Sequence, residues 1–220
     1  NQTGDEGWRF DRVVYDARLV EEAVLRAVGT RPVDDGLRFH RQRDEAYGIT
    51  DQDARDAAFA QIHQRWFVRL ALGSPLEQAL ADTGSVLTRV SECRVASAVS
   101  RKDEVADLFD RGQPGGVADT IREGEPSLLN QPKIILIRLR PESFLEARAL
   151  LRFLRHELLH VADMLDPSFG YQKHLPLSDT GPSYDNILRH RYRVLWDTTI
   201  DGRLLNRGVV GPEVQELRHK

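Results

Sequence analysis

One five-residue stretch, His156-Glu157-Leu158-Leu159-His160, has residue types and a spacing suited to chemistry. On a helix, four-residue spacing places His156 and His160 on one face, one turn apart. Two imidazoles so placed reach a single zinc ion. Glu157 then stands beside the metal. It can take a proton from the metal's water and pass it to a leaving amine. Zinc lowers the pKa of that water, polarises a carbonyl and stabilises the developing oxyanion. The same pattern also arises by chance in helices whose histidines pair with surface carboxylates. The neighbours favour a buried setting, since Phe153, Leu154, Leu158, Leu159, Val161 and Leu165 make the stretch strongly apolar. Two buried histidines beside a glutamate are costly without a partner.

The elements that must position these residues can be read on either side. The isoleucine-rich run 133–139 reads as a strand, closed by Pro141. A helix opening at Pro141 or Ser143 runs to about Leu165, and Pro167 ends it. Residues 166–182 read as a Pro/Gly/Ser-rich loop carrying Phe169 and Tyr171. A second long helix covers about 184–205 despite Gly202, and a short one covers 211–218. Upstream, residues 1–12 read as a polar arm and 14–28 as a helix ended by Gly29. Residues 30–50 read as a loop with a short element. Thr50 is the expected N-cap of a helix reaching about Leu72, and Ser74-Pro75 opens another. Residues 101–110 read as one more helix. The Gly/Pro-rich stretch 111–132 is the clearest break, either a boundary or a long loop. The expected fold is α+β and mostly helical, with the motif helix beside a small sheet. Residues 1–130 would form a helical N-terminal lobe and 131–220 the metal-binding region, or both one compact domain.

Composition narrows the chemistry. The chain has 220 residues, 40% hydrophobic and 30% charged, which is enough apolar material for a core. The net charge is −3, with the acidic excess in residues 1–110. A nucleic-acid partner is not expected from that balance. Cys93 is the only cysteine, so intrachain disulfides and cysteine-based zinc sites are excluded. Any zinc must sit on nitrogen and oxygen. No apolar run reaches the length of a membrane span. The start, Asn1-Gln2-Thr3, is neither a signal peptide nor an initiator Met. A processed or trimmed chain is expected, and both a cytoplasmic and an exported location fit. Arginine supplies 27 of the 31 positive charges, with clusters at Arg148, Arg152 and Arg155 and at Arg189, Arg191 and Arg193. These are either ion-paired helix faces or a cleft that grips substrate carboxylates.

Residues 133–205 resemble the zincin metallopeptidases in their motif helix, preceding strand and following helix. The resemblance implies a peptide or protein substrate laid along the sheet's edge strand, with residues 133–139 in that part. It also implies a third zinc ligand, for which two aspartates compete. Asp166 lies six residues after His160, as in metzincin-like enzymes. Those enzymes have a glycine where Asp163 stands, and a methionine turn beneath the metal. The only methionine is Met164, inside the motif helix. Asp197 fits the thermolysin-like gluzincins, whose acidic ligand comes from a second helix. Asp201, four residues on, would then orient a zinc-bound histidine. Trp196 stands where that group has asparagine before its ligand. Asp163 is expected to pair with an arginine or a ring nitrogen. Oxyanion donors implied by the resemblance are Tyr171, His174, Tyr184, His190 and Tyr192, with Arg189 and Arg193 of the same standing. The leading expectation is a zinc-dependent peptidase with Glu157 as general base. A non-catalytic zinc protein and a zinc hydrolase of a non-peptide amide remain open beside it.

Overall fold

In a computed structural model, residues 12–110, 133–172 and 181–208 are described. The expected arm at 1–12 lies outside them apart from Arg12. The break at 111–132 and the terminal helix at 211–218 lie outside them entirely.

The chain is mostly helical with one four-stranded sheet, an α+β architecture. Strand β1 (Val13–Tyr15) leads into α1 (Ala17–Gly29). Asp16 caps α1, accepting the Leu19 N–H at 2.9 Å. Leu19, Ala23, Val24 and Ala27 of α1 are buried at helical spacing. Helix α2 (Val33–Tyr47) occupies the segment expected to be mainly loop. Its polar sequence gives little local reason for a helix. It is held by Phe39, which is fully buried and packs edge-on against Trp66 at 5.4 Å. Helix α3 (Gln52–Arg69) is capped by Asp51, not Thr50, through the Ala54 N–H at 2.8 Å. Helix α4 (Ser74–Thr83) opens at Ser74-Pro75 as expected.

Strands β2 (Val90–Ser97), β3 (Val105–Asp110) and β4 (Lys133–Leu139) complete the sheet, in the order β1-β2-β4-β3. The first three in that order are parallel, and β3 runs antiparallel to β4. Two expectations are corrected here. Residues 101–110 are not a helix: a 3-10 turn at Arg101–Asp103 leads into β3. Residues 133–139 are not the edge strand, because β4 is flanked by β2 and β3. The edge is β3. The sheet takes three strands from before residue 131 and one from after it, and the main core draws on both stretches.

Helix α5 (Ala147–Leu165) carries the His-Glu motif. Leu150, Leu154, Leu158, Val161 and Leu165 turn one face into the main core, against the fully buried Ile135, Ile137 and Leu139 of β4. Burying each such side chain stabilises by roughly 1.5–3 kcal/mol. That packing fixes the rotation of α5 and so aims the opposite face away from the core. Helix α6 (Pro182–Asn206) faces it. Ile200 and Leu204 of α6 form a small second cluster with Leu159. Among the described residues no helix is long and apolar enough to cross a membrane.

Candidate metal centre

The i, i+4 spacing on α5 puts the His156 and His160 rings 4.9 Å apart. Helix α6 brings Asp197 to them, with Oδ1 2.9 Å from His160 Nε2. One donor atom from each of His156, His160 and Asp197 lies within 4.8 Å of the others. Bonds of about 2.0–2.2 Å let one ion span about 4.4 Å between donors, so small side-chain rotations close the set. His156 adds an observation that points to a ligand. Among the described residues its Nε2 is buried with no hydrogen-bond partner, and Asp201 Oδ1, 3.4 Å away, is not aligned for one. A buried ring nitrogen left this way is costly unless something binds it. The nitrogen and oxygen donors suit zinc.

No protein-family model matches the chain, and no curated protein or solved structure is detectably similar to it. What the chain does hold is a zincin-like cluster, His156-Glu157-x-x-His160 with Asp197. Asp166 stands apart from the cluster. Its exposed carboxylate accepts from the backbone N–H and the hydroxyl of Ser168, at 2.9 and 2.7 Å. That local cap opens the 3-10 turn Pro167–Phe169.

Glu157 is buried between the histidines and the sheet edge. Its Oε1 is 3.4 Å from His156 Nδ1, and its Oε2 accepts the Ala106 N–H of β3 at 3.1 Å. The edge strand thus fixes the carboxylate that the motif alone could not orient. Burial pushes the Glu157 carboxyl upward. The His156 and Ala106 hydrogen bonds and the imidazole charges outweigh this and hold it below the usual range. Burial pushes the His160 imidazolium below its ordinary 6.5, with repulsion from His156 added and Glu157 and Asp197 opposing.

These shifts carry a sign. Both folded values lie below the unfolded ones, so the unfolded chain takes up more protons on acidification. The metal-free protein is therefore expected to keep the contribution of these two groups in full above pH 6.5. It should lose stability first as His160 protonates below 6.5, then as Glu157 protonates below 4.5. Urea midpoints measured across this range check the order, and His160→Gln should remove the first step.

Asp163 binds Arg203 through both oxygens, at 2.8 and 2.5 Å, and accepts the Trp196 indole N–H at 2.7 Å. The expected arginine partner is thus found, one helix away. The Arg203 side chain is 36% exposed. The pair is accordingly worth nearer the ~1 kcal/mol of surface pairs than the ~3–5 kcal/mol of breaking buried ones. Its main effect is to set the register of α6 against α5, and so the height of Asp197 beside His160. Trp196 also lies edge-on against His160 at 4.5 Å and stacks on Phe169 at 5.2 Å. Trp196 and Arg203 were not singled out in the sequence as parts of the site. Trp196 adjoins Asp197 in the chain, which was the one available signal.

A cleft of about 380 Å³ opens over Glu157 and His160. Residues 105–107 of β3 form one wall, and Arg189, Tyr192, Arg193 and Trp196 of α6 form the other. Gly170 has φ +67°, a left-handed turn that a side chain would strain, and Tyr171 follows it into the cleft. Burial, then the nearby Asp107 charge, pushes the Tyr171 hydroxyl upward, so it stays a donor. Tyr184 and His190 do not line the cleft. His174 lies outside the described residues. Cys93 is a buried core thiol, pushed up to about 12 by burial and then by Glu92. A thiol so protonated is inert.

Proposed function

We propose that this chain is a zinc-dependent peptidase. One observation carries the reading: Glu157, buried and held by the Ala106 N–H, stands beside the His156-His160-Asp197 cluster on the floor of an open cleft. His156, His160 and Asp197 would hold the zinc, and Asp201, 3.4 Å from His156 Nε2, adds negative charge beside it. Zinc, when bound, supplies a Lewis acid that polarises the scissile carbonyl and acidifies water. Glu157 is ionised at neutral pH and takes the proton from water as it attacks. It then returns that proton to the leaving amine. Tyr171 and Tyr192 line the same cleft, and either would donate to the oxygen that gains charge.

The edge strand supports a peptide over a smaller amide. The N–H groups of Ala106 and Leu108 point away from β4, one to Glu157 and one to Asp107 Oδ1 at 2.7 Å. In an antiparallel pair, the carbonyls of the same residues face outward too. An extended peptide can add to this edge by donating to them. A purely structural zinc staple needs four protein ligands. Among the described residues the cluster offers three.

Hydrolysis of an unbiased peptide library tests the proposal. Cleavage should stop on chelation and return with one equivalent of zinc. Cleavage that persists in the chelated protein would contradict it.

A further inference from the structure

The cleft carries charge that hydrolysis itself does not use. Along α6, Arg189, Arg193, Asp197 and Asp201 recur every four residues, so they share one stripe of the helix. The two carboxylates lie at the histidines, and the two arginines line the cleft beyond them. The arginines nearest the motif helix and its partner helix are in part engaged, Arg155 with Asp82 and Arg203 with Asp163. Among the described residues, Arg189 and Arg193 have no carboxylate within ion-pair distance. Two guanidinium groups one turn apart repel each other, and a shared anion relieves that repulsion. Arg148, Arg152 and Arg191 do not line the cleft. The acidic group on the opposite wall, Asp107, is tied to the strand backbone and separated from the stripe by the cleft.

We propose that Arg189 and Arg193 determine specificity by binding a substrate carboxylate. At 1.5 Å rise per residue, Arg193 lies about 6 Å and Arg189 about 12 Å along α6 from Asp197. An extended peptide advances about 3.3 Å per residue, so the carboxylate belongs two to four residues from the cleaved bond. A Glu or Asp side chain and a free C-terminus share this chemistry. The proposal rests on the peptidase reading, but its binding step can be measured without turnover.

The test uses zinc-loaded full-length protein and fluorescein-labelled peptides. At each position around the cleaved bond the peptides carry Glu, Gln or Lys, each as C-terminal acid or amide. Binding is read by anisotropy in Glu157→Gln, and cleavage in the native sequence. At one position Glu should be favoured over Gln by about tenfold, the scale of one charge-assisted hydrogen bond. If the C-terminus is the ligand, acid should be favoured over amide by the same factor. The preference should fall to about one in Arg189→Gln/Arg193→Gln. It should invert towards Lys in Arg189→Glu/Arg193→Glu. Equal treatment of Glu and Gln and of acid and amide, or a preference unchanged in the double variants, overturns the proposal. Peptides bound with the preference but never cleaved would sink the peptidase reading and leave the anion grip standing. Cleavage without preference would do the reverse, and neither binding nor cleavage would overturn both.

Discussion

Glu157→Gln is expected to keep its zinc and lose peptide hydrolysis by about 10²–10⁴-fold in kcat. The amide keeps the shape of the carboxylate and can still accept the Ala106 N–H through its oxygen. It cannot take a proton from water. Since Glu157 is not a member of the ligand cluster, metal content should stay at one per chain. The loss should appear in kcat with little change in KM, because the missing group acts only in the transition state. Zinc analysis and steady-state kinetics on the same preparation check both halves. Loss of the metal together with activity would mean that Glu157 is a ligand, not the base.

Asp197→Ala is expected to weaken zinc binding by more than the ~10–100-fold that losing an outer-shell partner costs. It removes one of three donors and leaves His160 Nε2 without its 2.9 Å partner. Asp201→Asn should weaken zinc binding less than Asp197→Ala, because Asp201 lies beside His156 without being one of the three donors. Asp166→Ala should leave zinc affinity unchanged, since its carboxylate caps Ser168 on the surface. Competition with a chelator of known affinity orders the three variants. An Asp166 effect larger than that of Asp197 would reverse the assignment of the third ligand.

The legible parts of this protein are those whose signals are local. The motif helix is encoded by spacing within a few turns, and so are its apolar face and the Pro167 boundary, whereas its expected opening at Pro141 or Ser143 is a 3-10 turn and the helix begins at Ala147. The stripe of Asp197 and Asp201 is similarly local, needing only that α6 be continuous through Gly202. Which aspartate meets the histidines was open between two readings, because that contact joins residues 37 apart in sequence. The sheet was harder. Val105, Leu108 and Phe109 fit a helix face at i, i+3 and i+4, following a charged run that also suits a helix. Their strand conformation comes from pairing with β4, a partner that local patterning cannot reveal. Strand β2 escaped notice because its polar and apolar residues do not alternate cleanly, and its register shifts between Val90 and Glu92. Helix α2 depends on Phe39 reaching Trp66 of α3, again a tertiary contact. The anchoring of α6 by Asp163 and Arg203 has the same character, spanning 40 residues. Thus the chemistry of the site was visible in the chain, while the wall that holds Glu157 was not.

The most direct test is the coordination of zinc in the loaded full-length protein, by crystallography or X-ray absorption. The expected result is one zinc per chain on nitrogens of His156 and His160 and one oxygen of Asp197, with the cleft side left to solvent. A chain that takes up no zinc when it is supplied, or one that closes the site with a fourth protein ligand, would contradict the catalytic account.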